Sequence, residues 1–208
     1  MSNEFAQCEM GRDQSPVNIE DAANGKPAEI KFNYNPVPLD VENTGSTVQV
    51  NYEPGSTVTI DGEEYELVQF HFHTPSEHVI SGEASAMELH LVHSNESEEL
   101  AVVGVMLEPG TAHPLIDTVW ENIPQEEGNN MVEGVTINAA DLLPEDQTYF
   151  SYAGSLTTPP CSENVKWNVL VEKTQVSEEQ IAAFENLFPV NARPIQATNG
   201  RVIELHKE

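Results

Sequence analysis

Apolar residues along most of this chain recur every second position. Ile30, Phe32 and Tyr34 alternate with polar neighbours, as do Val37, Leu39 and Val41, and the prolines at 36 and 38 separate the two runs. Successive strand side chains point to opposite faces, so this period predicts strands packed on one side. Thr47 to Tyr52 and Thr57 to Ile60 continue it, with Pro54-Gly55 and Asp61-Gly62 as turns; the second is a strong hairpin signal. Glu66 to His73 and Met87 to His93 predict two more strands, joined through a reversal between Pro75 and Gly82. Leu100 to Leu107 is a continuous apolar run, which reads as a strand buried in mid-sheet beside them.

The period changes at His113 to Ile123. Leu115, Ile116, Val119, Trp120 and Ile123 follow helical spacing, and a small helix is expected there. Tyr149 to Ser155 and Val165 to Val171 return to strand. Ser177-Glu178-Glu179-Gln180 forms a capping box that opens a helix through Ile181, Phe184 and Leu187. Val202 to Leu205 is expected to close the sheet, and the opening from Phe5 to Ile19 reads as irregular apart from a short extended piece at Val17-Asn18-Ile19. Many short strands with few helices predict a mainly β (α+β) domain. Its 208 residues, without linker, repeat or low-complexity tract, suit one domain over 1–208.

Two strand predictions carry chemistry. Within Gln69-Phe70-His71-Phe72-His73 the histidines share a face and the phenylalanines point into the opposite layer. Within Met87-Glu88-Leu89-His90-Leu91-Val92-His93, Glu88, His90 and Val92 share one face. An antiparallel pairing brings His90 beside His71 and His73. Three neutral imidazoles with no fourth protein ligand suit a catalytic zinc, whose open position admits water. Gln69 and Glu88 each lie two residues from a ligand on the same face, where an acceptor holds the imidazole's other N–H. A lone strand histidine is more often a hydrogen-bonded core residue, and His93, facing away from His90, keeps that reading. His78, His113 and His206 are left to structural or surface roles.

Composition narrows the partners. Thirty-five acidic against eight basic residues give a net charge of −27, which repels nucleic acids and anionic membrane surfaces. The acids are scattered, as in Glu96-Ser97-Glu98-Glu99, and only five lysines oppose them, a balance resembling proteins adapted to high salt. No apolar run reaches the length of a membrane span, and Met1 to Phe5 lacks a signal-peptide pattern. A signal removed before Met1 remains compatible with this. Cys8 and Cys161 are the only cysteines, and taken alone they fit either one disulfide or two free thiols.

Together with the histidine runs, Gln14-Ser15-Pro16-Val17-Asn18-Ile19, Gly154-Ser155-Leu156-Thr157-Thr158-Pro159-Pro160-Cys161-Ser162-Glu163, and Asn191-Ala192-Arg193-Pro194-Ile195-Gln196 with Asn199-Gly200-Arg201 give the chain a close resemblance to the α-class carbonic anhydrases. The resemblance implies a large, twisted, mostly antiparallel central sheet flanked by short helices, with the metal in a conical cleft. It implies reversible hydration of carbon dioxide to bicarbonate and a proton by zinc-bound hydroxide, with one Zn2+ on His71, His73 and His90. Thr157 and Glu77 match the residues that orient the hydroxide. Val92, Val102, Leu156 and Trp167 match the apolar substrate wall, although without the resemblance they would be read as core. Thr158 matches a residue near bicarbonate, and Thr44 and Gln49 match positions that order cleft water.

The resemblance also pairs Cys8 with Cys161 and places the protein in the periplasm or outside the cell. It brings sulfonamide and anion inhibitors, leaves room for a side esterase activity, and is compatible with a homodimer. Two departures stand out. The family's Asn-x-Gly-His shuttle pattern reads Asn43-Thr44-Gly45-Ser46, and Ser46 cannot carry protons near neutrality. Only seven residues precede Cys8, so the family's aromatic cover over the cleft has no equivalent. The rival from another class is a non-catalytic binding module on the same fold; such relatives typically lose a ligand histidine.

Overall fold

The computed structural model describes residues 5–208, so the reading of Met1 to Glu4 lies outside it. A large sheet is assembled from β2 (Ala23–Asn24), β3 (Ile30–Asn33), β4 (Val37–Asn43), β5 (Val48–Asn51), β6 (Thr57–Ile60), β7 (Glu63–His73), β10 (Met87–Ser94), β11 (Leu100–Pro109), β12 (Gly128–Ile137), β13 (Tyr149–Ser155), β14 (Glu163–Leu170), β15 (Thr174–Val176) and β16 (Glu204–His206). The remaining strands, β1 (Asn18–Ile19), β8 (Val79–Ile80) and β9 (Glu83–Ala84), form a small sheet of their own. Among the described residues three α-helices accompany them, α1 (Ala6–Met10), α2 (Pro114–Glu121) and α3 (Glu178–Leu187), with a 3-10 turn at Ala139–Leu142.

The main path runs β12-β4-β5-β7-β10-β11-β14-β13-β16-β2. Its pairings are antiparallel except where β11 meets β14 and β15, and where β16 meets β2. The expected mostly antiparallel sheet is therefore what forms. β11 takes the central place because it is buried along nearly its whole length, as a run without polar alternation requires.

The sheet separates two apolar layers. Phe70, Phe72, Leu89, Leu91, Val103 and Val105 lie in the larger one, which α2 and α3 cover through Ile116, Val119 and Phe184. Ser177 caps α3, accepting a hydrogen bond from Gln180 N while Gln180 Oε1 accepts from Ser177 N, the reciprocal box its sequence signals. The smaller layer holds Val17, Val102, Met106, Tyr152 and Trp167 on the other face.

Three local readings change. Ala6–Met10, expected to be irregular, forms a helix turn with no buried residue. The sheet does not close on residues 202–205: β16 begins at Glu204, and the two-residue β2 lies beyond it, too short to leave a periodic signal. The stretch between the histidine strands is more than a reversal, since β8 pairs in parallel with β1 and antiparallel with β9.

Candidate metal centre

His71 and His90 are directly opposite in the antiparallel ladder of β7 and β10, and Glu88 is opposite His73. The register slips between Val92 and His93: Val92 faces Gln69, His93 faces Leu67, and Val68 bulges outward, 46% exposed. A bulge reverses the phase of alternation along a strand. Tyr65 and Leu67 on one side of it and Phe70 and Phe72 on the other can therefore share the same core, while Gln69, His71 and His73 remain together on the cleft face.

The three rings gather with centroids 5.0 Å apart for His71 and His73, 5.2 Å for His71 and His90, and 4.6 Å for His73 and His90. One nitrogen of each lies within 4.8 Å of the others. Hydrogen bonds fix which one. His71 Nδ1 donates to Gln69 Oε1 at 2.8 Å, and His73 Nδ1 donates to the Asn191 carbonyl at 3.0 Å. His90 Nε2 donates to the Glu88 carboxylate. The lone pairs left over are His71 Nε2, His73 Nε2 and His90 Nδ1. His73 Nε2 is buried without a hydrogen-bond partner among the described residues, an arrangement that costs free energy unless another group occupies the space.

Electrostatics supports the same assignment. Burial, reinforced by the neighbouring imidazoles, depresses the His71 pKa well below the usual histidine value; burial also lowers His73, against the pull of Glu77. Both rings are thus held neutral, as ligands must be. For His90 burial acts downward but is outweighed by Glu88, so its pKa is raised; a cation at Nδ1 would compete with that second proton. Burial would raise Glu88, yet His78 and His90 hold its carboxyl well below the usual range. The donor set fits zinc: three imidazole nitrogens, each oriented by an acceptor, with space on the cleft side.

That space is a cleft of about 550 Å³ lined by Thr44, Ser46, Gln49, His71, His73 and Thr158 together with Leu187 to Asn191. Val102 and Trp167 are buried in the smaller apolar layer, Val92 and Leu156 pack against that layer, and the Trp167 ring is 4.8 Å from that of His90. Glu77 is buried, with Oε1 accepting from Arg193 N at 2.9 Å and Oε2 without a partner among the described residues. No hydrogen bond joins Thr157 to Glu77 among the described residues, and Thr157 is half-buried. Gln49 turns its amide to Asn51, and Thr44 hydrogen-bonds Thr47 within the turn that carries Ser46.

Several supporting residues left no signal of their role in the sequence. Asn191 bonds His73 through its carbonyl and Thr74 N, Phe72 O and Ser46 O through its side chain, from an irregular segment far along the chain. His78 is fully buried, with Nδ1 3.0 Å from Glu88 and Nε2 2.6 Å from the Tyr152 hydroxyl, which in turn meets Ser15 at 2.8 Å. His93 keeps its core role, Nδ1 donating to the Ala101 carbonyl and Nε2 accepting from Tyr34. His113 precedes α2 and bonds the Asp141 carbonyl.

Cys8 and Cys161 are joined in a disulfide. Residues 2–207 match the family model for eukaryotic-type carbonic anhydrase. The chain belongs to this family, the α class. A carbonic anhydrase of Nostoc sp. is 43% identical over 98% of this chain and 79% of its own length. A hyperthermostable carbonic anhydrase from a hydrothermal vent chimney superposes with a TM-score of 0.96 at 42% identity, covering 100% of this chain and 93% of that one. The α-carbonic anhydrase of Thermovibrio ammonificans, solved with the inhibitor sulfanilamide, gives 0.93 at 36% identity over 98% and 91%. As a member of this carbonic anhydrase family, the protein is an enzyme of the fold that its sheet and cleft display.

Proposed function

We propose that this carbonic anhydrase catalyses reversible hydration of carbon dioxide to bicarbonate and a proton, with one zinc ion held by His71 Nε2, His73 Nε2 and His90 Nδ1. The observation that carries the reading is the set of three lone pairs turned to one point, each fixed by an acceptor on the other ring nitrogen. Bound there, zinc supplies the Lewis acidity that lets water ionise near neutral pH; carbonic anhydrases are themselves the known example of this effect, and its size is taken from them.

The chain's own residues do the remaining work. Val92, Val102, Leu156 and Trp167 offer carbon dioxide, which has no net dipole, an apolar surface beside the imidazoles. Thr157 and Glu77 orient the attacking oxygen: the free Glu77 Oε2 is an acceptor for the threonine hydroxyl, and Arg193 N holds the other carboxylate oxygen. Orientation of this kind lowers the barrier without a covalent intermediate. Thr158 lies on the cleft wall to meet bicarbonate, and Thr44 and Gln49 order water there. Ser46 cannot titrate near neutrality, so protons leave through water and buffer.

The disulfide supports an oxidising compartment, periplasmic or extracellular. One sheet gathers strands from both ends of the chain, which supports reading residues 1–208 as a single domain. The sulfanilamide-bound relative supports inhibition by aromatic sulfonamides. Stopped-flow hydration with and without such a compound is the test: a rate that the inhibitor abolishes is expected, and the absence of any sulfonamide-sensitive rate would favour a non-catalytic binding module.

A further inference from the structure

The sheet face opposite the zinc ligands is polar where β14, β13 and β16 lie side by side. Trp167 and Tyr152 face the metal side, so the alternate residues Lys166, Asn168 and Ser151 face away from it. Ser151 lies between Asn168 of β14 and Glu204 of β16 in the ladder, and His206 is two residues along on the same face, opposite Tyr149. A cavity of about 600 Å³ opens over this floor, bordered by Ile60, Glu63, Ser151, Lys166, Asn168 and His206.

His206 is held on every side. Its Nδ1 donates to the Lys26 carbonyl at 2.8 Å, its ring stacks on Tyr149 at 4.8 Å and 23°, and a Cβ at Gly25 would lie 2.5 Å from its Cε1. The proton on Nδ1 leaves Nε2 as an acceptor, and Ser151 Oγ lies 2.8 Å from it. A nucleophile bonded to a base, with the base fixed through its other nitrogen, is the arrangement that activates serine hydroxyls. Glu204 Oε2 lies 3.6 Å from the same Nε2. Asn168 lies directly across from Ser151, and its amide donates at 3.3 Å to the Val102 and Lys166 carbonyls. The buried Tyr34–His93 pair has a fixed tautomer too; what sets Ser151 and His206 apart is the cavity they border.

We propose that Ser151 and His206 form a second, zinc-independent hydrolytic centre for small uncharged carboxylic esters. Ser151 Oγ bonds the acyl carbon and passes its proton to His206 Nε2. The acyl–oxygen bond to the leaving alcohol breaks, and the alcohol departs with that proton. Water, deprotonated by the same nitrogen, then releases the carboxylic acid and restores the serine. Anionic esters are disfavoured by Asp61, Glu63 and Glu204 around the cavity and by the −27 charge of the whole chain.

The test uses the zinc-loaded protein saturated with an aromatic sulfonamide, which silences the metal site. The holoprotein is treated with a fluorophosphonate and the adduct mapped by mass spectrometry; p-nitrophenyl acetate hydrolysis is followed in parallel. Expected are a single adduct on Ser151, sulfonamide-resistant ester hydrolysis, and labelling slowed about a hundredfold in His206→Gln, with both activities lost in Ser151→Ala. Melting curves establish that the variants are folded. No adduct on Ser151 in the parent protein, ester hydrolysis fully abolished by the sulfonamide, or undiminished labelling in folded His206→Gln would overturn the proposal.

Discussion

Ser46 stands at the position to which the resemblance read from the sequence assigns a proton-carrying histidine. It sits at the lip of the cleft in a turn bonded by Thr44 and Asn191, with no titratable group of its own. Ser46→His is expected to raise turnover in weak buffer by about one to two orders of magnitude, the lower reach of positioned proton transfer, and added imidazole should narrow the gap. Equal rates for both proteins in weak buffer would show that proton export does not depend on this position. Thr157→Val leaves the three imidazoles in place and removes the hydroxyl proposed to position the attacking oxygen. It should lower kcat/KM about a hundredfold while zinc content is unchanged; a variant that loses zinc instead would give Thr157 a different role. The histidine cluster proposed to hold zinc was legible in the sequence because two-residue spacing on a strand fixes the facing of His71 and His73. Asn191 and Tyr152 were not, because each reaches its partner across more than sixty residues of chain, and His78, only ten residues from Glu88, lies in a stretch without a period.

At the level of elements, β7 and β10 place the ligands, and the bulge at Val68 lets β7 serve a core and a cleft at once. His93 lies at the end of that same pairing, buried between Tyr34 and Ala101, and burial depresses its pKa to about 4. Its ordinary value is near 6.5, so the unfolded chain takes up this proton first as pH falls. The stability it contributes is complete above about pH 6.5 and is lost progressively down to about pH 4, by about 3 kcal/mol over that window. Urea unfolding of the parent and of His93→Gln across that window should show a shallower decline in the variant; parallel curves would mean His93 is not the group being titrated. Alternation and the capping box made β4 to β7, β10, β11 and α3 readable. β1 was readable only as a short extended piece. β2, β8, β9 and β15 were not, since strands of two or three residues carry too few positions to show a period, and β12 was missed because its mostly exposed residues carry few apolar positions.

For the whole molecule, charge and covalent closure dominate. Lys and Arg ion pairs among the described residues join Lys31 to Glu29, Lys166 to Glu63 and Arg201 to Asp13, while Arg193 spends its guanidinium on Gln14, Ser15 and Cys8. Most of the thirty-five acids therefore repel one another without local compensation. Salt screens such repulsion over distances beyond about 10 Å at 0.1 M, so the denaturant midpoint should rise from low to molar sodium chloride; the same midpoint at both would remove the case for salt adaptation. The disulfide closes a loop of 153 residues, and loop entropy assigns such a closure about 5 kcal/mol. Reduction should lower the melting temperature without abolishing sulfonamide binding, because the ligands lie on strands the bridge does not touch. Charge and cysteine count were open in the sequence, but the pairing followed only from the family resemblance.

The most direct measurement is a zinc titration of metal-free protein with carbon dioxide hydration followed at each addition. The rate should rise in proportion to added zinc, stop at one equivalent per chain, and fail to develop in His90→Ala. A rate already present without zinc, or one that climbs past a single equivalent, would contradict a lone catalytic ion held by His71, His73 and His90.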